Sequence, residues 1–157
     1  MVTAWEVLET VPDPEIPALS VVDLGIVRRV EESADHRSVA VTLTPTYSGC
    51  PATEVITADV RAALSEIYEA VEVSIQLSPP WTTDWLSDAG REKLVGFGIA
   101  PPNGRATLPI LEPTAPAECP RCGAREVEEL AAFGSTPCKA LWRCMECQEP
   151  FDYFKVH

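Results

Sequence analysis

The stretch VAVTLTPTYSGCPATEVITADVRAALSEIYEAVEVSIQLS, residues 39–78, decides the fold. Apolar and more polar residues alternate over 39–44 and again over 71–78, which is the period-two pattern of half-buried strands. Between these strands, after Pro51, apolar residues recur at near-helical spacing, and proline is tolerated at a first helical position. The apolar helix positions are Ala52, Ile56, Val60, Leu64 and Ile67. The stretch therefore predicts a strand–helix–strand unit.

Three further elements are predicted outside this stretch. Residues 26–31 form a strand that turns through 33–36 and pairs antiparallel with the strand at 39–44. Residues 3–11 form an amphipathic N-terminal segment, and residues 86–94 form a short helix. The expected fold class is α+β, a small mixed three-stranded α/β sandwich, followed by a C-terminal ribbon of β-hairpins.

Length, composition and charge narrow the class of protein. The chain has 157 residues, which is long enough for one ordinary domain or for a small domain plus an appendage. Its apolar and charged residues, 46% and 23%, are typical of a soluble globular protein. Its net charge of −12 opposes binding to nucleic acid and to anionic membrane surfaces. Residues 1–11 carry acids where a signal peptide needs basic residues, and no apolar run reaches membrane-spanning length. We therefore expect a cytoplasmic protein.

Prolines divide the chain into two parts. Five of them fall within residues 101–118, a segment with little periodicity, which predicts a linker between a domain at 1–100 and a domain at 119–157. The first domain carries sixteen acids and six bases, whereas residues 101–157 carry eight acids and six bases. The acidity thus belongs to the first domain.

The C-terminal part contains two C-x-x-C motifs, formed by Cys119 and Cys122 and by Cys144 and Cys147. In a reducing cytosol, metal binding is the expected use of such a set, and the spacing suits two short hairpins closing over one tetrahedral ion. Four thiolates select zinc or iron, and zinc is usual in a closed structural site. A rubredoxin-like iron site is the alternative. So short a domain buries little core, so the metal must supply most of its folding free energy.

Cys138 is the odd cysteine of the tail. It follows a polar turn and precedes Lys139, whose ammonium favours the thiolate form. Two interpretations are open: an accessory functional thiol, or a cysteine packed inside a small domain. The aromatic residues of the tail are expected to form the ribbon core rather than a nucleic-acid surface, because few basic residues accompany them. These residues are Trp142, Phe151, Tyr153 and Phe154.

Cys50 stands alone in the first hundred residues, directly before the predicted helix. Unpaired N–H groups and the positive end of the helix dipole favour a thiolate there, which would serve as a metal ligand or nucleophile. The alternative is a small buried hydrophobic residue, but the flanking Gly49 and Pro51 indicate a shaped, exposed loop. The two histidines of the chain, His36 and His157, lie in a predicted turn and at the last position, so a Cys–His catalytic pair is not expected.

Three acidic residues near predicted strand starts or loops are weaker candidates. Asp13, Glu15 and Asp23 could cap turns or remain solvated, as surface carboxylates usually do. They could also join Cys50 in a mixed oxygen and sulfur metal site. The local sequence leaves both interpretations open.

Both halves of the chain resemble known families. Three segments of the first half resemble the metal–sulfur cluster biosynthesis family of iron–sulfur assembly factors; they are DPEIPALSVVDLGIV (13–27), TLTPTYSGCPATEVITADVRAAL (42–64) and SPPWTTDWLSDAGREKL (78–94). In the tail, the motifs CPRCG, FGSTPCK and CMECQEPFDYFK resemble the D-subunit family of ring-1,2-phenylacetyl-CoA epoxidase systems, which act in bacterial phenylacetate degradation. The combination of both halves is more specific than either one.

The resemblance implies an accessory protein and not the oxygenase itself, since the sequence lacks the Glu-x-x-His pairs of a di-iron oxygenase. It implies that Cys50 is the reactive or metal-ligating residue, with Asp13, Glu15 and Asp23 near it and Thr44 and Thr46 on the same approach. The implied task is delivery of iron or an iron–sulfur cluster to the reductase or oxygenase component of the epoxidase.

Several alternatives to this task stay open. The chain could be a non-catalytic docking or regulatory subunit of the same complex, or a thiol enzyme acting on a thioester, against which the missing histidine argues. We also hypothesise that two copies share a metal across a homodimer, because a site with one cysteine is incomplete.

Overall fold

The computed structural model describes residues 1–47, 49–103, 115–136 and 138–156. The chain divides into two compact units, the first formed by residues 1–81 and 85–90 and the second by residues 82–84 and 91–157. Within the described ranges, no helix combines the length and the apolar character needed to cross a membrane.

The first unit is built on a three-stranded sheet of β1 (Val27–Glu32), β2 (Ser38–Leu43) and β3 (Ala70–Ile75), in the order β1-β2-β3. Strands β1 and β2 are antiparallel, with an irregularity in β1 between Val27 and Arg29, whereas β2 and β3 are parallel. The predicted mixed three-stranded α+β fold is confirmed.

Two helices accompany this sheet. Helix α1 (Ala4–Leu8) begins with a capping box between Thr3 and Glu6, and helix α2 (Ala52–Ser65) connects the parallel strands β2 and β3. The four predicted apolar positions inside α2 are buried together with the central residues of β2. The prediction for Ile67 was wrong: the helix ends at Ser65, and Ile67 is 46% exposed.

Strand β3 also differs from the prediction. It ends at Ile75, and the side chains of Ile75 and Leu77, which were expected on a half-buried face, are 43% and 56% exposed. The physical reason is the position of β3 at the edge of the sheet, where, in the part of the chain that the structure describes, it has a neighbouring strand on one side only.

The loop before β1 is held from two sides within the first unit. The indole N–H of Trp81 donates to the carbonyl of Leu24 at 2.8 Å. Gly25 has a left-handed φ of 70° and lies so close to Trp85 that a Cβ built on it would be 2.3 Å from the Trp85 carbonyl oxygen. Helix α3 (Asp88–Gly96), predicted over 86–94, begins where the Ser87 hydroxyl accepts from the N–H of Gly90 at 2.9 Å.

The second unit contains a four-stranded sheet in the order β4-β7-β6-β5. Its strands are β4 (Ile99–Ala100), β5 (Val127–Ala131), β6 (Lys139–Cys144) and β7 (Pro150–Phe154). Phe151, Tyr153 and Phe154 are buried, and Trp142 meets Tyr153 edge to face at 6.2 Å between ring centroids. The structure thus confirms the ribbon of hairpins and its aromatic core.

The second unit starts earlier than predicted. Residues Ile99 and Ala100 pair with β7, and the N–H of Asn103 donates to the Tyr153 hydroxyl at 3.3 Å. The expected boundary at residue 100 therefore falls inside this unit, because the chain adds an edge strand to the ribbon before the prolines end the pairing. Residues 104–114 of the expected linker lie outside the described residues, as does His157.

Candidate metal centres

The four cysteines of the two C-x-x-C motifs come together in the second unit. The sulfur atoms of Cys119, Cys122, Cys144 and Cys147 all lie within 4.8 Å of one another. The Sγ–Sγ distance is 3.5 Å between Cys122 and Cys144 and 3.9 Å between Cys119 and Cys147. Tetrahedral zinc with Zn–S bonds of about 2.3 Å requires sulfur atoms about 3.8 Å apart. Donor type and spacing both fit a structural zinc ion.

Backbone turns aim these thiols at one another. In the first motif, Gly123 has a φ of 77°, and its N–H donates to the Cys119 carbonyl at 2.9 Å. In the second, Gln148 has a φ of 63°, and the N–H of Cys144 donates to the Glu149 carbonyl at 3.1 Å. The Met145 N–H donates to the Glu126 carbonyl at 2.9 Å, which ties the second turn to the segment that follows the first.

Backbone N–H groups also point at the sulfur atoms. The N–H of Arg121 lies 3.4 Å from Sγ of Cys119, and the N–H of Glu146 lies 3.4 Å from Sγ of Cys144. Such donors favour thiolates, and the N–H groups of Cys147 and Glu146 lower the pKa of Cys144 to about 7. The lowered pKa favours the thiolate of Cys144, which is the form that binds a metal cation.

The metal-binding cysteines are unequal in burial. Cys119 and Cys144 are 1% and 0% exposed and belong to the small core formed with Ala100, Phe151 and Tyr153. Cys122 and Cys147 lie on the surface. The site thus joins the core of the ribbon to its outer turns, as a structural ion does.

Cys138 lies outside this four-sulfur cluster. Its side chain is buried, and its Sγ is 3.0 Å from the Thr136 hydroxyl. The neighbouring Lys139 is also buried, with its ammonium 4.0 Å from a carboxylate oxygen of Asp152. These contacts favour a packed thiol, which was one of the two interpretations.

Cys50 precedes α2 as predicted, but its exposure was predicted wrongly. The residue is only 7% exposed, although Gly49 and Pro51 on either side are on the surface. The carbonyl of Cys50 accepts from the N–H of Thr53 at 3.1 Å, which begins the first turn of the helix. The thiol is therefore part of the helix start rather than of a projecting loop.

Asp13 and Asp23 are buried and shape the loop before β1. The Asp13 carboxylate accepts from the N–H groups of Glu15 and Ile16 at 2.9 and 2.8 Å. Asp23 accepts from the N–H of Ser20 at 2.9 Å and from the Ser87 hydroxyl at 3.3 Å. These bonds agree with the interpretation that Asp13 and Asp23 cap turns. Glu15 is only partly buried.

Sequence reasoning missed Ser20 and Ser87 as partners of Asp23. The signal for Ser20 was present, because Ser20-Val21-Val22-Asp23 has the spacing of a capping box, and the N–H of Asp23 returns a bond to the Ser20 hydroxyl at 3.0 Å. Ser87 is distant in sequence and gave no local signal.

Thr44 has an unusual environment. It is 1% exposed, and its hydroxyl has no hydrogen-bond partner among the residues that the structure describes. Its N–H donates to the Ile26 carbonyl at 2.8 Å, so the loop that contains Asp23 and the connection that leads to Cys50 meet at the carboxyl end of β2. Thr46 lies on the same connection and is partly exposed.

Family comparisons divide the chain in the same way. Residues 2–75 match the family described as "Iron-sulfur cluster assembly protein". Residues 105–155 match the family described as "PaaD zinc beta ribbon domain".

Individual relatives match either nearly the whole chain or a little more than half of it. The chain is 46% identical to an Escherichia coli (strain K12) protein named as the D component of 1,2-phenylacetyl-CoA epoxidase, over 96% of this chain and 90% of that protein. It is 38% identical to an "Fe-S protein maturation auxiliary factor" of Porphyromonas gingivalis, over 57% of this chain and 85% of that protein. A crystal structure of a DUF59 domain of unknown function from Bacillus anthracis superposes with a TM-score of 0.54 at 31% identity, covering 58% of this chain and 87% of that one.

Proposed function

Because the chain belongs to the family of phenylacetyl-CoA epoxidase D components, in which an iron–sulfur cluster assembly domain precedes a zinc ribbon, we propose that it is a maturation factor for that epoxidase system. In this proposal the first unit helps to deliver iron or an iron–sulfur cluster to the reductase or oxygenase component. The metal being delivered is cargo, whereas the zinc of the ribbon is resident.

The observation that carries this proposal is the buried hydroxyl of Thr44, which has no hydrogen-bond partner among the described residues. A buried hydroxyl without a partner costs about 1–3 kcal/mol, and a bound ligand or a rearranged partner would offset that cost. Thr44 and Cys50 lie on one connection, between the end of β2 and the start of α2. In this proposal, the Cys50 thiol and the Thr44 hydroxyl contribute to an incomplete ligand set, which a receiving protein completes and then replaces.

The burial of Cys50 sets a condition on transfer. With 7% of the residue exposed, the sulfur is shielded from bulk oxidants, and a second protein reaches it only after the segment before α2 opens. We therefore expect the client to induce this opening, so that the cargo stays with the chain until the two proteins meet.

Co-expression tests the proposal. The epoxidase components are produced beside the wild-type chain, beside Cys50→Ser and beside Cys138→Ser, and their iron and sulfide are measured per chain. Cys138 is a matched control, because it is buried to 6% exposure and lies outside the zinc cluster. We expect Cys50→Ser to lower the iron content of one component at least about tenfold, since one essential ligand is lost, and Cys138→Ser to leave it unchanged.

A second candidate function is that of a docking or regulatory subunit that handles no iron. The engagement of Asp13 and Asp23 in capping favours it, because their carboxylates hold the loop rather than present an open ligand set. Full iron content in components made beside Cys50→Ser would select this function and reject delivery through Cys50.

A further inference from the structure

The four sheet edges in the described ranges are protected to different degrees. Unprotected edges offer rows of free N–H and C=O groups, and proteins guard them with charges, irregularities or short length. Strand β1 has four charged residues and an irregularity, and β5 has two glutamates and an irregularity. Strand β4 has only two residues. These three edges are poor templates for further pairing.

Strand β3 is the least protected of the four edges in the described ranges. Its sequence, Ala70–Ile75, contains Glu72 as its one charged residue, and its pairing with β2 is regular throughout. Val71 and Val73 are partly buried, and Ile75 and the following Leu77 are exposed apolar side chains. The first unit therefore presents a regular strand edge with an apolar row on one face.

The hydrogen bonds to β2 fix which backbone groups face outward. The N–H of Ala70 donates to the Arg37 carbonyl, and the N–H of Gln76 donates to the Leu43 carbonyl. Peptide groups alternate along a strand, so those of the even-numbered residues face β2. The N–H and C=O groups of Val71, Val73 and Ile75 consequently point away from the sheet, toward the free edge.

We propose that β3 pairs antiparallel with the β3 strand of a second copy, centred on Val73, to form a continuous six-stranded sheet. This register places Val71 opposite Ile75 of the second copy, and Val73 opposite Val73 of the second copy. The outward N–H and C=O groups of the two strands then bond to one another, and the apolar side chains of the two strands lie next to each other. Glu72 lies opposite Ser74 on the other face. A centre at Glu72 would instead oppose two like charges, which is destabilising.

Self-pairing suits this edge because the two-fold axis makes the surface its own complement. Dimerisation is opposed by the electrostatic repulsion between two copies that each have a net charge of −12. Salt screens this repulsion. Dimerisation should therefore strengthen as sodium chloride is added, whereas binding to a basic partner protein would weaken.

This dimer goes beyond the proposed function and does not depend on it. Cys50 lies at the carboxyl-terminal end of the parallel strands, and antiparallel pairing puts the two such ends at opposite ends of the six-stranded sheet. The two Cys50 thiols would not share a metal, so this dimer differs from the metal-sharing dimer hypothesised from the sequence.

Sedimentation velocity on the zinc-loaded full chain, over about two decades of concentration, tests the proposal. We expect a reversible dimer in the wild type and at least about a tenfold weaker dimer in Ile75→Lys, because a lysine in an edge row blocks pairing. Ile67→Lys is the matched control, since Ile67 is equally exposed and lies outside the strands, and it should dimerise as the wild type does.

A charge pair tests the register. Ser74 lies opposite Glu72 of the second copy, and this pair occurs twice in the proposed dimer. Ser74→Glu therefore places like charges opposite each other, whereas Ser74→Lys places opposite charges there. Both variants lose the same contact with the Thr42 hydroxyl, at 3.3 Å from the Ser74 hydroxyl. The dissociation constants should differ by about tenfold, with the lysine variant tighter. Amides of Val71, Val73 and Ile75 should gain exchange protection on dimerisation. A wild type that stays monomeric, or equal constants for the two Ser74 variants, would overturn the proposal.

Discussion

Cys144→Ser is expected to unfold the second unit while the first unit stays folded. Cys144 is 0% exposed and lies both in the zinc cluster and in the small core with Phe151 and Tyr153. Structural zinc contributes about 10–16 kcal/mol of binding free energy in small zinc domains, which exceeds what so small a core supplies. Loss of the ion therefore removes the fold of the ribbon.

Hydrogen exchange and zinc analysis check this expectation. In Cys144→Ser, bound zinc should be lost and the amides of β6 and β7 should exchange freely, while those of β2 remain protected. Cys138→Ser is the control, because Cys138 is buried but is not a member of the cluster; it should keep one zinc per chain. Protected β6 and β7 amides without zinc would show that the apolar core alone holds the ribbon.

The second large effect is expected for Gly25→Ala, in the loop that carries Asp23. A Cβ at Gly25 would lie 2.3 Å from the Trp85 carbonyl oxygen and 2.7 Å from the Trp85 Cβ, and the residue also has a left-handed φ. Overpacking costs about 1–3 kcal/mol and the left-handed conformation about 1–2 kcal/mol. We expect the free energy of unfolding of the first unit to fall by about 3 kcal/mol, which lowers its Tm by about 10–20 °C.

Gly49→Ala separates the two causes. Gly49 has a similar φ of 79°, but a Cβ there would meet no atom of the described residues within 4 Å. Its substitution should therefore cost only the conformational part, about 1 kcal/mol. Calorimetry that gives equal losses for Gly25→Ala and Gly49→Ala would show that the contact with Trp85 yields without cost.

Elements specified by local pattern were predictable from the sequence. The alternation around Val41, the helical spacing of Ile56 and Val60 and the two C-x-x-C motifs each reflect a repeating geometry or a fixed ligand spacing. The structure accordingly reproduces the strand–helix–strand unit, the mixed sheet and the four-sulfur cluster.

Features that depend on distant contacts were not predictable. The local sequence of Cys50 contains a glycine and a proline that indicate a surface loop, but tertiary packing buries the residue between them. Asp23 is engaged by Ser87, which lies 64 residues away in sequence. Ile99 and Ala100 form a strand only because β7 is available to pair with them. Each of these outcomes depends on a partner that no local window contains.

The central claim is that Cys50 binds the iron to be delivered, whereas the four clustered cysteines of the second unit bind zinc. Metal analysis of the chain purified without oxygen tests this claim most directly. The wild type and Cys50→Ser are compared for zinc, iron and sulfide per chain after loading with ferrous iron and sulfide. The account predicts one zinc in both proteins and iron that is retained by the wild type but lost from Cys50→Ser. Equal iron in the two proteins, or loss of zinc on replacing Cys50, would contradict it.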